Sequence, residues 1–514
     1  MTQLVRLTPS WRRIAVLALS LTAVWVCAAP AAADSIAWKP CKGAEKGLEC
    51  ARVQVPLNWS ELAGPKITLA VIRRPASKPA QRIGSLFLNF GGPGLAGVAG
   101  VKGSGKSLDQ LGDGRFDLVS WDPRGTGESA HISCFANREE EAKFWGSPYS
   151  VPVTNAEWKQ RMPQAIAYAK RCTKRNRTLL RYDSTADTVR DMDHLRELLG
   201  EPKLNYRGIS YGTFLGQTYA NLFPDEVRAM VLDANLNPFE FTKSVVNSMA
   251  SSNADTDLVM RKFAQLCAEA GPQRCALANG GSPQKRLNRL VAQLKRGPIP
   301  APKADPPKLT YSDLLIRVFI GQAGPAEWPQ LASELDEAAR GDGSSIAMFG
   351  QSFGSALTAS LNAAVGLQCA DKPVPPKLGS SDWPQVLRTL TKVSVWNGPF
   401  NDWLLWAPCS AWTVAAVNRY TGPWNADTPN PVLVIGTRYD PRTNYGASVL
   451  VSKTLKNATL LTHEGYGHTS DVDPSACVER DVARYLTTLK TPPNGAVCQS
   501  DREPFDPDFG EPLP

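Results

Sequence analysis

The residues of this 514-residue chain best placed to do chemistry are Gly208-Ile209-Ser210-Tyr211-Gly212. They follow an apolar run, 204–209, and precede a helix-like segment, 213–222. Gly-x-Ser-x-Gly at a strand-to-helix junction forms a tight turn that tolerates only small residues two positions either side of the serine. It leaves the hydroxyl exposed at the carboxyl end of the strand. A serine hydroxyl is a weak nucleophile at neutral pH and needs a base within hydrogen-bond reach. The chain has four histidines, His131, His194, His463 and His468. His194 falls within a helical repeat and reads as a surface or packing residue, and His131 follows a glycine-rich turn with no catalytic context. His463 ends an apolar run and reads as a strand residue. His468 lies beyond it in Gly465-Tyr466-Gly467-His468, a loop able to carry a side chain to the strand ends. His468 is therefore the expected base.

The base requires an acid that accepts its second N–H and fixes its tautomer. Asp440 follows the apolar run 431–435 after a four-residue loop, 436–439. Asp233, at the end of the run 229–232, competes, because an acid there can reach the same histidine. The position of Asp440 after the penultimate strand favours it and gives the chain order Ser210, Asp440, His468. A developing oxyanion needs N–H donors, and Leu88-Asn89-Phe90-Gly91-Gly92-Pro93-Gly94 supplies a glycine loop where backbone can approach substrate closely. Pro93 has no N–H, so Gly92, with Gly91 as the second choice, is the expected donor. The residue after the nucleophile, Tyr211, supplies the other donor. Asp122-Pro123-Arg124-Gly125-Thr126-Gly127-Glu128-Ser129 reads as a brace for the turns near the site.

These loops need a scaffold. Short apolar runs at 85–90, 116–121, 204–209, 229–232, 431–435 and 459–461 alternate with helical patterns, such as the 3.6-residue period at 186–199. Alternation of this kind predicts a mostly parallel α/β sheet with helices on both faces. It stops after Asp233 and resumes at Pro431, so residues 237–424 are expected to form a helical lid inserted between two parts of one sheet. The core would then comprise 34–236 and 425–490, with a Pro- and acid-rich tail at 491–514. A lid over the carboxyl ends of the strands sits where open α/β sheets bind ligands, and it can select substrates and exclude water.

The first 33 residues read as an export leader: Arg6, Arg12 and Arg13, an apolar stretch at 14–26, and Ala31-Ala32-Ala33 before Asp34. The stretch is short for a membrane span. Val24-Trp25-Val26 before Cys27 lacks the small residue that a lipidation site wants. Removal of the leader takes one of eleven cysteines, leaving ten. An even number in an exported chain fits up to five disulfides. Local spacing suggests Cys41–Cys50, Cys134–Cys172, Cys267–Cys275, Cys369–Cys409 and Cys477–Cys498. Four scattered histidines and no CxxC pair argue against a metal centre. The formal charge of +9 includes the three leader arginines and holds no dense basic run, so nucleic-acid binding is not indicated. Neither a cofactor nor a membrane span is expected. Oligomeric state is not fixed, and a monomer is compatible with the sequence.

Taken as a set, Gly-Gly-Pro-Gly, Asp-Pro-Arg-Gly-x-Gly-x-Ser, Gly-x-Ser-Tyr-Gly-Thr, Tyr439-Asp440-Pro441 and Gly-Tyr-Gly-His resemble the secreted tripeptidyl aminopeptidases of actinobacteria. These belong to the prolyl-aminopeptidase branch of the α/β-hydrolases, and mycobacterial serine hydrolases named carboxylesterases or proteases share the pattern. The resemblance runs from about Trp38 to Cys498. It implies an α/β-hydrolase fold, with Ser210 as nucleophile, Asp440 and His468 as its partners, and Gly92 with Tyr211 as the oxyanion hole. It further implies an exported serine hydrolase that releases short peptides, tripeptides above all, from peptide N-termini. A carboxylesterase or lipase with the same triad is the alternative, and a non-catalytic binding protein on this fold is the remote one. One departure is Asn89-Phe90, where prolyl aminopeptidases commonly carry histidine. Exopeptidases of the family bind the substrate amine with lid acids. Glu240, Asp255, Asp257, Asp371 and Asp402 stand in or near the insertion, and none is assigned. Trp403, Trp406 and Trp412 cluster near Cys409 and read as core packing, with the lining of an apolar pocket as the alternative.

Overall fold

The computed structural model describes residues 36–509, except 147–149, 244, 254, 373–384, 387–388, 390–391, 393, 397–402 and 404–406. The expected leader, with Cys27, lies outside the described residues, as do Asp402 and Trp406. The strands are β1 (Lys39–Pro40), β2 (Glu49–Pro56), β3 (Lys66–Arg74), β4 (Gly84–Asn89), β5 (Phe116–Trp121), β6 (Leu204–Ile209) and β7 (Val227–Asp233). They continue with β8 (Ile299–Pro300), β9 (Lys308–Leu309), β10 (Val432–Tyr439), β11 (Ala458–Tyr466) and β12 (Ala496–Gln499). Strands β8 and β9 form a small antiparallel ribbon in the insertion. The other ten make one sheet in the order β1-β2-β3-β5-β4-β6-β7-β10-β11-β12. Pairing is antiparallel from β1 to β5 and parallel from β5 to β12.

Residues alternate between the two faces because successive Cβ atoms point oppositely along a strand. Phe87, Val119, Tyr206, Met230, Leu232 and Val434 meet the helices Thr185–Leu198 and Tyr211–Leu222 on one side. Leu86, Leu88, Leu118, Val231, Leu433 and Ile435 meet the helix Ala476–Thr488 on the other. Parallel strands covered on both faces read as the near-continuous apolar runs of the sequence. From β4 the chain passes to β5 on one side and then returns to β6 on the other. That reversal opens a crevice between the carboxyl ends of β4 and β6, the usual ligand position in such sheets. Asn89 pairs with Gly208 there, which brings the glycine loop and the serine turn together.

Between β7 and β10 the chain forms helices, including Thr256–Arg274, Tyr311–Gly321, Trp328–Ala339 and the long Ser344–Asp371. One apolar cluster of this region centres on Phe263 and Trp328 and takes in Tyr466 from β11 and Phe505 from the tail. A second joins insertion residues Val365, Trp403 and Val414 to Trp158, Met162 and Tyr168, which precede the serine turn in sequence. Those three lie on the helix Asn155–Arg175, whose start is fixed by a reciprocal cap between Thr154 and Glu157. All five cysteine pairs suggested by spacing are disulfides. Among the described residues, no helix is long and apolar enough to cross a membrane.

Candidate active site

Ser210 has φ 55° and ψ −124°, a backbone region that side chains avoid. The glycines around it allow that geometry. A Cβ on Gly208 would collide with the Gly212 carbonyl, and one on Gly212 would lie 2.8 Å from the Asn89 oxygen. The Ser210 N–H donates to the Asp233 carbonyl at 3.0 Å, and Thr213 Oγ1 donates to the Ser210 carbonyl at 2.6 Å. The turn is thus tied both to β7 and to the helix it begins.

His468 lies two residues beyond the end of β11. Its Nδ1 stands 3.0 Å from Asp440 Oδ1 and 3.1 Å from Oδ2. Asp440 follows β10 and is buried, yet its carboxylate is well supplied with donors. The N–H groups of Arg442 and Thr443 approach Oδ1 at 2.8 and 3.0 Å, and Thr443 Oγ1 approaches Oδ2 at 2.6 Å. The competing acid is engaged elsewhere. Asp233 accepts Ser470 Oγ at 2.6 Å and lies 3.8 Å from Arg207. Burial, reinforced by the charge of Asp471, pushes its carboxyl up to about 6.

The remaining histidines have other surroundings. His463 is buried within β11 beside Thr437 Oγ1 and Asp473, and burial pushes its imidazole down to about 4. His194 packs edge-on against Trp59 on a core helix. His131 is exposed in a loop.

Gly91 and Gly92 have φ of 87° and 108°. A Cβ on Gly91 would sit 2.8 Å from the Ile209 carbonyl and 2.9 Å from Ser210 Cβ, so only glycine permits this approach to the turn. The Gly91 N–H is taken by Asn89 Oδ1 at 3.0 Å. The Gly92 N–H has no hydrogen-bond partner among the described residues. Tyr211 is the first residue of its helix, where backbone N–H groups lack intrahelical acceptors. The loop and the turn therefore offer two N–H groups, from Gly92 and Tyr211. The long lid helix lies against the same loop, since a Cβ on Gly94 would meet Ala364 N at 2.7 Å.

The Asp-Pro-Arg-Gly segment is tied to the start of the helix Gly97–Ser104 and to the core helix Thr185–Leu198. Asp122 accepts the N–H groups of Val98 and Glu128 at 2.8 and 2.7 Å. Arg124 makes a fully buried two-point contact with Asp191, at 2.7 and 2.6 Å. Among the lid acids, Asp257 accepts the Val395 N–H, and Asp371 is buried against Thr185. Asp255 is half-buried at the start of the helix Thr256–Arg274 and does not cap it. Burial and the charge of Asp440 raise its pKa. Trp403 is buried edge-on against Trp158.

Sequence reasoning missed two contacts between lid and site. The His468 N–H donates to the Ala323 carbonyl at 2.7 Å, and Arg442 Nη2 donates to the Phe319 carbonyl at 3.2 Å. Both acceptors are main-chain atoms at the end of the helix Tyr311–Gly321, and carbonyl acceptors leave no signature in side-chain identity.

Residues 90–299 match the family described as the alpha/beta hydrolase fold, and 395–498 match the family described as TAP-like protein. Serine protease Hip1 of Mycobacterium tuberculosis is 29% identical over 495 residues, spanning 92% of each chain. A tripeptidyl aminopeptidase of Streptomyces lividans is 28% identical, over 93% of this chain and 89% of its own. Carboxylesterase B of Mycobacterium tuberculosis is 30% identical over 500 residues, covering 91% of each chain.

Proposed function

We propose that this chain, a serine hydrolase belonging to the α/β-hydrolase family, is an exported aminopeptidase that releases short peptides, tripeptides above all, through an acyl-enzyme. The observation that carries the reading is the contact of His468 Nδ1 with a buried, hydrogen-bonded Asp440, at the carboxyl ends of the strands where Ser210 also stands. In that arrangement Nδ1–H donates to Asp440, and Nε2 is left to take the Ser210 proton. Ser210 Oγ attacks the scissile carbonyl, and the Gly92 and Tyr211 N–H groups stabilise the oxyanion. Collapse of the adduct breaks the C–N bond, and the leaving amine takes the proton from His468. Water, deprotonated by His468, then attacks the acyl-enzyme and frees the acid product.

The comparison with a tripeptidyl aminopeptidase supports a peptide with a free N-terminus as substrate. Asp255 is the lid acid best suited to hold the ammonium. The next residue, Thr256, donates Oγ1–H to the Pro441 carbonyl at 2.8 Å, which sets Asp255 beside the loop of Asp440. An ammonium there would offset the mutual repulsion of the two carboxylates. Export is supported by five disulfides, which persist in oxidising compartments.

The test compares a free-amine tripeptide anilide, its N-blocked form, a single-residue anilide and a short-chain ester, with Ser210→Ala as control. Preference for the free-amine tripeptide, lost in Ser210→Ala, is expected. Asp255→Asn is expected to raise KM for the free-amine substrate about tenfold, about 1.4 kcal/mol for one half-buried charged contact. It should leave the N-blocked substrate unchanged. Turnover of the ester alone would favour the second reading, a carboxylesterase. That reading is supported by the carboxylesterase relative and by Leu95, which is 45% exposed on the glycine loop.

A further inference from the structure

Three buried side chains on three separate elements form a hydrogen-bond chain that none of the steps above uses. Asp371 is the last residue of the lid helix Ser344–Asp371, and its Oδ2 lies 2.7 Å from Thr185 Oγ1. Thr185 opens the core helix Thr185–Leu198, and its Oγ1 lies 2.6 Å from the Tyr211 hydroxyl. The exposures are 7% for Asp371 and 2% for both Thr185 and Tyr211. A threonine hydroxyl has one proton. Because Thr185 gives it to the Asp371 carboxylate, the Tyr211 O–H must donate to Thr185. The direction of the chain is thereby fixed, from Tyr211 through Thr185 to Asp371. The Tyr211 ring is also held by aromatic neighbours, Phe214 at 6.3 Å and Phe241 at 6.2 Å between centroids.

We propose that Thr185 and Asp371 are positioning residues for the reaction, anchoring the Tyr211 side chain from the lid so that its main-chain N–H is aimed at the oxyanion. The inference rests on the serine-hydrolase mechanism proposed above, in which that N–H is one of two donors. Donors act only when they lie about 2.7–3.1 Å from the oxyanion, so a small swing of the residue that carries one weakens catalysis. The lid helix reaches the second donor as well. Ala363 and Ala364 pack on Gly94, two residues after Gly92, and the Cys369–Cys409 disulfide holds the helix end next to Asp371. One helix of the lid thus seats both sides of the oxyanion hole. A shift of this one helix would loosen the donors while leaving Ser210 on its turn and His468 on its separate seat against the Ala323 carbonyl. Asp371 itself acts from within the protein and does not touch substrate.

The experiment measures kcat and KM for the preferred anilide or ester, per active site titrated with a fluorophosphonate. The variants are Thr185→Val, Thr185→Ser, Tyr211→Phe, Asp371→Asn and the double variant Thr185→Val/Tyr211→Phe. Removing an oxyanion donor costs about 100- to 1000-fold in kcat, so a donor left in place but poorly aimed is expected to cost about 10- to 100-fold. Thr185→Val and Tyr211→Phe should each show that loss with KM changed less than about twofold. Thr185→Ser should restore kcat to within about threefold of wild type. The double variant should be no worse than the poorer single one, because both break the same chain. Thermal melts identify any variant that fails to fold, and Tyr211→Phe, which only removes a hydroxyl, serves as the second probe. Unchanged kcat in Thr185→Val and Tyr211→Phe, additive losses, or a loss carried by KM would overturn the positioning role. If wild type turned over no acyl substrate, or Ser210→Ala remained active, the mechanism itself would fall and the positioning role with it.

Discussion

Ser210 holds a backbone conformation that is costly for any residue with a Cβ, and three neighbours keep it there: the Asp233 carbonyl, Thr213 Oγ1 and the close-packed Gly91. The same crowding made the turn legible, because the glycines at 208 and 212 answer a steric demand that no other residue meets. Asp440 and Asp233 were not separable on such grounds. Both end a strand of the same sheet, and only the fold reveals that Asp440 reaches His468 while Asp233 is engaged by Ser470. The two acids should therefore differ sharply on substitution. Asp440→Asn forces the wrong histidine tautomer and should lower kcat by about 10,000-fold with little change in KM. Asp233→Asn keeps an acceptor for Ser470 and should stay within about tenfold of wild type. Steady-state kinetics on the two variants decide it, and equal losses would mean that the base is served by both acids.

The elements were legible to unequal degrees. Strands β5 and β6 match their sequence runs end to end, because Phe116, Leu118, Val119 and Trp121 in one and Leu204 and Tyr206 in the other carry apolar side chains into the core. The antiparallel β2 and β3 carry no such mark, since consecutive strands at one side of the sheet break the alternation of strand and helix. The helix Asn155–Arg175 carries a clear cap signal, but nothing local says that it docks against residues more than 200 positions later. Contacts of the helix Tyr311–Gly321 with the active-site loops were equally hidden. Its end receives the His468 N–H through Ala323, and Arg442 stacks 4.4 Å over Phe319. Gly467 makes that seat possible. It has φ 94°, and a Cβ there would stand 2.6 Å from the Ala323 carbonyl. Gly467→Ala should lift the base loop off the lid and lower kcat about 100-fold, the cost of misplacing a catalytic group by about 1 Å. The Tm should change by only a few degrees. A variant with native kcat would show that the lid helix merely covers His468.

Across the whole molecule, buried ionisable groups set an unusual balance. Burial pushes the carboxyls of Asp233, Asp371 and Asp473 up to about 6 and also raises that of Asp183, while His463 is pushed down to about 4. A carboxyl whose folded pKa lies above its unfolded value holds more protons in the native state throughout that interval. Stability from such a group is complete below about pH 4 and is lost as pH rises toward 6. His463 has the opposite sign. Its unfolded form takes a proton first, so its contribution grows as pH rises from about 4 to 6.5. Moving a carboxyl pKa from about 4 to about 6 corresponds to about 3 kcal/mol, so one histidine offsets one carboxyl and leaves the others uncompensated. At about 1 °C per kcal/mol for a chain of this length, the Tm should fall by roughly 5 °C between pH 4.5 and 6.5. Many proteins gain stability over that interval. Thermal melts across it, on wild type and on Asp473→Asn, separate the cases. The variant removes one titrating carboxyl while keeping an acceptor for the Tyr466 N–H and Ser500 Oγ, which lie 2.7 and 2.6 Å from it, so its decline should be shallower. A wild-type Tm that climbs from pH 4.5 to 6.5 would mean that these carboxyls are ionised at no cost, which their burial does not allow.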